Sequence, residues 1–174
     1  PGNLCLSMTS LPPYARVVAL CAGCGVIGLG LLARDSAAAA ALVELQDRLA
    51  ALAERNAADN ALGARATVHH GDLERARAAA GASFDVAVAN PPYRTLDEGP
   101  ASPDAEVATA QHELRTTLAA VVAAMRRLLV PGGRAALVYP SARTPALLAA
   151  LDGAGRRPVR ARFVHPRADE PANR

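Results

Sequence analysis

Six short apolar runs alternate with segments of helix length along this chain, and that alternation restricts the fold more than any other feature. The runs are Arg16 to Cys21, Ala40 to Leu45, Thr67 to His70, Phe84 to Ala89, Arg134 to Tyr139 and Val159 to Val164. Strands that read as nearly continuous Val, Leu and Ala are apolar on both faces, so helices must cover both sides of the sheet they form. The expected fold class is therefore α/β: a doubly wound, mainly parallel sheet of six strands with five helices in one domain. The clearest helix spans Gln46 to Asn60, where Leu49, Leu52 and Ala53 recur at helical spacing. Another runs from about Asp104 to Leu129 and is stopped by Pro131, Gly132 and Gly133.

The chain of 174 residues is 51% apolar, enough for one core, but only five residues are aromatic, so Ala, Leu and Val must fill it. All 19 basic residues are Arg, which reflects codon bias more than a need for guanidinium chemistry. The net charge of +3 permits nucleic-acid contact without requiring it. Six Arg fall between Arg156 and Arg174, either as a solvated tail or as an RNA-facing patch. The longest uncharged run, Val17 to Ala33, is too short and too glycine-rich for a membrane span, and Pro1 to Tyr14 lacks the basic start of a signal peptide. A soluble, cytoplasmic protein with no membrane partner is expected, and an odd count of three cysteines fits a reducing compartment.

The fourth run stops abruptly. In FDVAVANPPYRTLDEG, Phe84 to Gly99, a buried-strand pattern meets an asparagine and two prolines, neither of which can donate to a sheet ladder. Asn90 thus falls at the carboxyl end of a strand, the edge where open α/β sheets bind ligands. Its side-chain oxygen and the carbonyl of Pro91 can both point into a cleft there, and two adjacent acceptors suit a planar amino group. Tyr93 offers a flat face for the ring carrying that amine, worth roughly 1–3 kcal/mol for a nucleobase. The polar loop from Tyr93 to Pro103 is a candidate substrate-facing segment.

Other strand ends carry their own candidates. Gly23, Gly25 and Gly28 in ALCAGCGVIGLGLLAR fit a strand-to-helix turn that lets a ligand approach the backbone, or else chance spacing in an Ala/Gly-rich chain. Glu44 closes the second run, where an acidic group accepts from ribose hydroxyls; its alternative is a charge at a helix N-terminus. Asp72, in HHGDLERA, suits a purine amino group or a helix N-cap. Cys21 and Cys24 form a C-x-x-C where strand meets helix, the setting of reactive dithiols, but the same residues already serve the glycine turn. No second C-x-x-C supplies zinc ligands, and the four histidines have no ligand spacing, so no metal site is expected.

The NPPY sequence after a buried strand, with the glycine turn, Glu44 and Asp72 in this order, resembles class I S-adenosylmethionine-dependent methyltransferases that act on planar amino nitrogens. The resemblance runs from about Arg16 to Arg174. More narrowly, VIGLGLLAR, LVELQ, VANPPYR and RFVHPRADEPANR are similar to the bacterial tRNA adenine-N6 methyltransferases. This resemblance implies a Rossmann-like sheet, S-adenosylmethionine as cofactor and RNA, a tRNA, as partner. It places Gly23 and Gly25 under the methionine part of the cofactor, Glu44 on its ribose and Asp72 against its adenine, with Cys21 and Asn90 completing the cofactor-binding set. Asn90, Pro91 and Tyr93 would hold the target amine.

Departures from the family pattern shape the remaining expectations. Ala19 and Cys21 stand where that family usually has an acidic residue and the first glycine, and Pro1 to Tyr14 does not resemble its usual first helix. The family's sheet ends in an antiparallel seventh strand, and the residues to Arg174 stop before one. An atypical segment over 1–14, then a methyltransferase domain over 15–174 lacking the final antiparallel strand, is the expected organisation. The same residues admit a protein glutamine-amide methyltransferase, a nicotinamide-dependent oxidoreductase that leaves Asn90 to Tyr93 unexplained, and a degenerate RNA-binding domain.

Overall fold

The structure is a computed structural model that describes residues 11–12, 14–73, 83–92 and 116–165. Five strands form one sheet: β1 (Arg16–Leu20), β2 (Ala39–Glu44), β3 (Ala66–His70), β4 (Phe84–Ala89) and β5 (Leu129–Leu137), in the order β3-β2-β1-β4-β5. Every pairing is parallel. Around the sheet lie α1 (Val26–Ala33), α2 (Asp47–Asp59), α3 (Leu118–Leu128) and α4 (Thr144–Gly153), the last preceded by a 3₁₀ turn at Ser141–Arg143.

Alternation along β1 divides the core. Val17 and Ala19 point to one face with Leu29, Leu32, Leu42 and Ala53, while Val18 and Leu20 point to the other with Val43, Val121, Met125 and Leu128. Helices α1 and α2 thus cover one side and α3 the other, the doubly wound arrangement expected from strands apolar on both faces. A third cluster of Leu118, Val122 and Tyr139 seats α4 through Leu147, Ala150, Leu151 and Ala154. At the amino edge, Arg65 donates to the carbonyls of Ala38 (3.1 Å) and Ala37 (2.6 Å) and pairs with Asp35 at 3.0 Å, tying the entry of β2 to that of β3.

Two expectations about the sheet change. β5 does not wait for Arg134: it begins at Leu129, directly after α3. Its register jumps from Phe84↔Leu129 to Val86↔Arg134, so Pro131, Gly132 and Gly133 form a bulge instead of a stop between elements. Gly132 takes φ 79°, which the glycine makes available. The strand expected over Val159 to Val164 does not form, and among the described residues the sheet has five strands, not six. Val159 is fully exposed and Phe163 is 54% exposed, so among the described residues this segment has no ladder partner and little apolar burial to hold it extended. The helix expected from Asp104 is described only as Leu118–Leu128; its earlier part lies outside the described residues.

Candidate active site

Parallel strands place their carboxyl ends on one edge, and β1 lies between β2 and β4, where the chain order reverses. A cleft of about 230 Å³ opens there, its walls including Cys21, Gly23, Glu44, Asp72, Asn90 and Pro92. Residues far apart in sequence meet because each ends or follows a strand.

The turn after β1 is made from residues in left-handed conformation. Cys21, Gly23 and Gly25 have φ of 51°, 57° and 87°. Ala22 N–H bonds to the Val43 carbonyl at 3.0 Å, and Gly25 N–H returns to Ala22 at 3.0 Å. The two glycines serve different ends. At Gly23 a Cβ would meet nothing within 4 Å, so its backbone is bare toward the cleft. Gly25 is buried behind the cleft wall, and a Cβ there would stand 2.9 Å from both Leu29 Cδ1 and Leu42 Cδ2. Of the expected glycine contacts, only Gly23 lines the cleft.

Glu44 is 5% exposed, and each of its carboxylate oxygens accepts one backbone hydrogen bond. Gly23 N–H donates to Oε2 at 2.7 Å and Gln46 N–H donates to Oε1 at 2.9 Å. One side chain therefore joins the glycine turn to the start of α2, for which Gln46 is the N-cap. Each carboxylate oxygen retains a second lone pair, so it can still accept from a ligand hydroxyl. On the far side of the turn, Asn56 Nδ2 donates to the Cys24 carbonyl at 2.9 Å, fixing the loop to α2. Gln46 lines the same cleft, and its Oε1 is buried with no hydrogen-bond partner among the described residues. A buried acceptor without a donor is uncommon in folded proteins.

Cys21 occupies the place where a glycine is expected, and its positive φ shows why. Burial, then the charges of Glu44 and Asp72, push its thiol up from 9.0 to about 12. A thiol pushed up in this way is a weaker source of thiolate than an ordinary cysteine. Asp72 lies after β3 and is exposed on the cleft wall.

At the end of β4 the chain leaves the sheet as foreseen. Asn90 is exposed and lines the cleft, Pro91 is fully buried beneath it, and Pro92 instead of Pro91 forms wall. Tyr93 and the loop after it lie outside the described residues. Sequence reasoning missed Gln46, Leu49 and Thr116, which also line the cleft. Thr116 had a local signal: its neighbour Thr117 caps α3, accepting from Ala120 N–H at 3.2 Å, which sets the start of that helix beside the β4 end.

Among solved structures, the chain is similar to a predicted O-methyltransferase of Agrobacterium tumefaciens, with a TM-score of 0.70 and 24% identity over 99% of this chain and 76% of that one. It is also similar to a precorrin 8w decarboxylase of Methanobacterium thermoautotrophicum (TM-score 0.60, 19% identity, 87% of this chain and 69% of that one). A third is an S-adenosylhomocysteine complex of a SAM-dependent methyltransferase from Geobacter sulfurreducens (TM-score 0.51, 18% identity, 73% and 42%). These likenesses show the fold. A curated relative, the tRNA1(Val) (adenine(37)-N6)-methyltransferase of Shewanella sp. (strain W3-18-1), is 28% identical over 127 residues, which are 72% of this chain and 52% of the relative. The chain thus spans about half the length of that relative. The model of the methyltransferase small domain matches residues 3–148, and with the doubly wound sheet and its strand-end cleft this shows that the chain belongs to the methyltransferase small domain family.

Proposed function

We propose that the protein is an S-adenosylmethionine-dependent N-methyltransferase acting on the exocyclic amine of an adenine in tRNA, in the cytoplasm. The observation that carries this reading is the convergence of Gly23, Glu44, Asp72 and Asn90 on one cleft from four strand ends. The residues fit the cofactor. Gly23 leaves bare backbone on the wall, Glu44 keeps lone pairs for ribose hydroxyls, and the buried Oε1 of Gln46 is an acceptor in want of a donor. When bound, S-adenosylmethionine supplies an electrophilic methyl group. What remains for the chain is alignment and charge. An adenine amine spreads its lone pair into the ring; the Asn90 side-chain oxygen, accepting one of its hydrogens, favours a more pyramidal nitrogen and stabilises its developing positive charge, whereas the Pro91 carbonyl, buried behind the wall, would have to be uncovered to accept the other. Tyr93 would stack on the ring. The curated relative supports adenine in tRNA as the target.

The test is incubation with deuterated-methyl S-adenosylmethionine and unmodified bulk tRNA, followed by nucleoside mass spectrometry. Labelled N6-methyladenosine is expected. Label in glutamine side chains of a protein fraction, or binding of NADH in place of S-adenosylmethionine by calorimetry, would replace this reading.

A further inference from the structure

Charge is divided unevenly over the molecule. Residues 116–174 contain ten arginines and three carboxylates, whereas residues 1–115 contain nine arginines and thirteen carboxylates. The cationic part comprises α3, β5, α4 and the segment that follows α4. Its β5 and the start of α3 lie beside the cleft. Val138 N–H bonds to the Ala89 carbonyl at 3.0 Å, so Tyr139 and Asn90 follow a bonded pair at adjacent strand ends. Over the Tyr139 ring, 5.3 Å from its centroid, stands the guanidinium of Arg143. The cluster that seats α4 contains Leu118, two residues from the cleft residue Thr116. From α4 the chain continues through Arg156, whose N–H caps the helix at the Leu151 carbonyl (2.8 Å), into a stretch that is neither helix nor strand and bears Arg157, Arg160 and Arg162. Phe163 in this stretch is 54% exposed.

We propose that this face, from Arg143 to Phe163, is the docking surface for a single-stranded polynucleotide, with arginines on phosphates and Phe163 under a base. It rests on the nucleic-acid reading of the cleft. The occupant follows from complementarity: the exposed Arg157, Arg160 and Arg162, with no carboxylate among them, neutralise phosphates, and the exposed ring of Phe163 beside them gives bases a stacking platform. Arg143 holds the nucleotide next to the target, because it stands over the ring beside the Asn90 strand end.

The test uses the whole chain and a fluorescein-labelled 17-nucleotide single-stranded RNA, titrated by anisotropy at several salt concentrations. Arg157→Gln/Arg162→Gln is compared with Arg34→Gln/Arg55→Gln, all four positions being exposed. The first pair is expected to lose about tenfold in affinity and to flatten the slope of log K against log salt by about 1.4, two phosphate contacts at about 0.7 each. The second pair should match the parent. Phe163→Ala should lose about tenfold with the slope unchanged. S-adenosylmethionine binding, read separately, should stay constant in all. Equal losses in both pairs, or binding of phosphatidylglycerol vesicles or polyglutamate as tight as RNA, would overturn the proposal. RNA bound through this face but never methylated would instead overturn the proposed activity. Methylation of tRNA unaltered by Arg157→Gln/Arg162→Gln would overturn the docking surface alone.

Discussion

Cys21 is held in a backbone conformation that glycine adopts freely and presents a half-buried thiol to two carboxylates. Its folded pKa of about 12 lies above its ordinary 9.0, so above pH 9 the unfolded chain releases this proton while the folded one keeps it. The stabilisation is complete below pH 9 and is lost as pH rises toward 12, with a slope of up to about 1.4 kcal/mol per pH unit. Urea denaturation of Cys21→Ala should show that much less dependence on pH across this window. Glu44 acts on the same turn from the other side. Glu44→Ala removes two charge-assisted acceptors from partly buried backbone N–H groups and should cost about 1–3 kcal/mol of stability, as well as weakening S-adenosylmethionine binding. A stable Glu44→Ala protein would mean that the two bonds at 2.7 and 2.9 Å are replaced by solvent. At Asn90 the effect should fall on turnover. Being exposed, its loss to Ala leaves the fold intact, and methyl transfer should drop by more than cofactor affinity because its acceptor matters most as charge develops on nitrogen. Equal losses in kcat/KM and in cofactor binding would make it a binding residue only.

The turn between β1 and α1 shows two glycines with one backbone requirement and different surroundings. Gly23→Ala introduces a Cβ at φ 57° into open space, a conformational cost of about 1–2 kcal/mol. Gly25→Ala adds overpacking against Leu29 and Leu42, both buried, and should cost about 2–4 kcal/mol in thermal or chemical denaturation. The ranking should reverse for ligand binding. Gly23 faces the cleft, so its substitution should weaken S-adenosylmethionine binding more than its loss of stability implies. If Gly23→Ala destabilises as much as Gly25→Ala, packing around the turn is not what distinguishes them.

Across the whole molecule, protection should follow position in the sheet. β1 is central and flanked by β2 and β4, with Val17 to Leu20 at most 2% exposed, so its amides should exchange most slowly. β3 and β5 are the outer strands of this sheet and should exchange faster. Residues 159–165, which join no strand or helix, should exchange near the rate of an unstructured peptide. Hydrogen exchange read by mass spectrometry tests the order, and slow exchange after Pro158 comparable with Phe84–Ala89 would contradict it.

Runs such as FDVAVA and the break at Asn90 were legible from sequence because the causes are local. Alternating burial needs apolar residues on both faces, and proline cannot continue a ladder whatever surrounds it. The strand ends carrying Gly23, Glu44, Asp72 and Asn90 followed from the same pattern, since a parallel sheet collects carboxyl ends on one edge. Val159 to Val164 has strand composition and no strand, because a strand exists only against a neighbour and composition does not supply one. The bulge that lets β5 begin at Leu129 depends on register with β4. Glycines alike in spacing parted because only packing decides what a Cβ would strike. Gln46 and Thr116 reached the cleft from separate segments, and the Glu44 bond to Gly23 spans 21 residues. Local sterics and the period of apolar residues are written along the chain, whereas contacts between distant segments, and the burial that sets the state of Cys21, arise only when the sheet closes over its core.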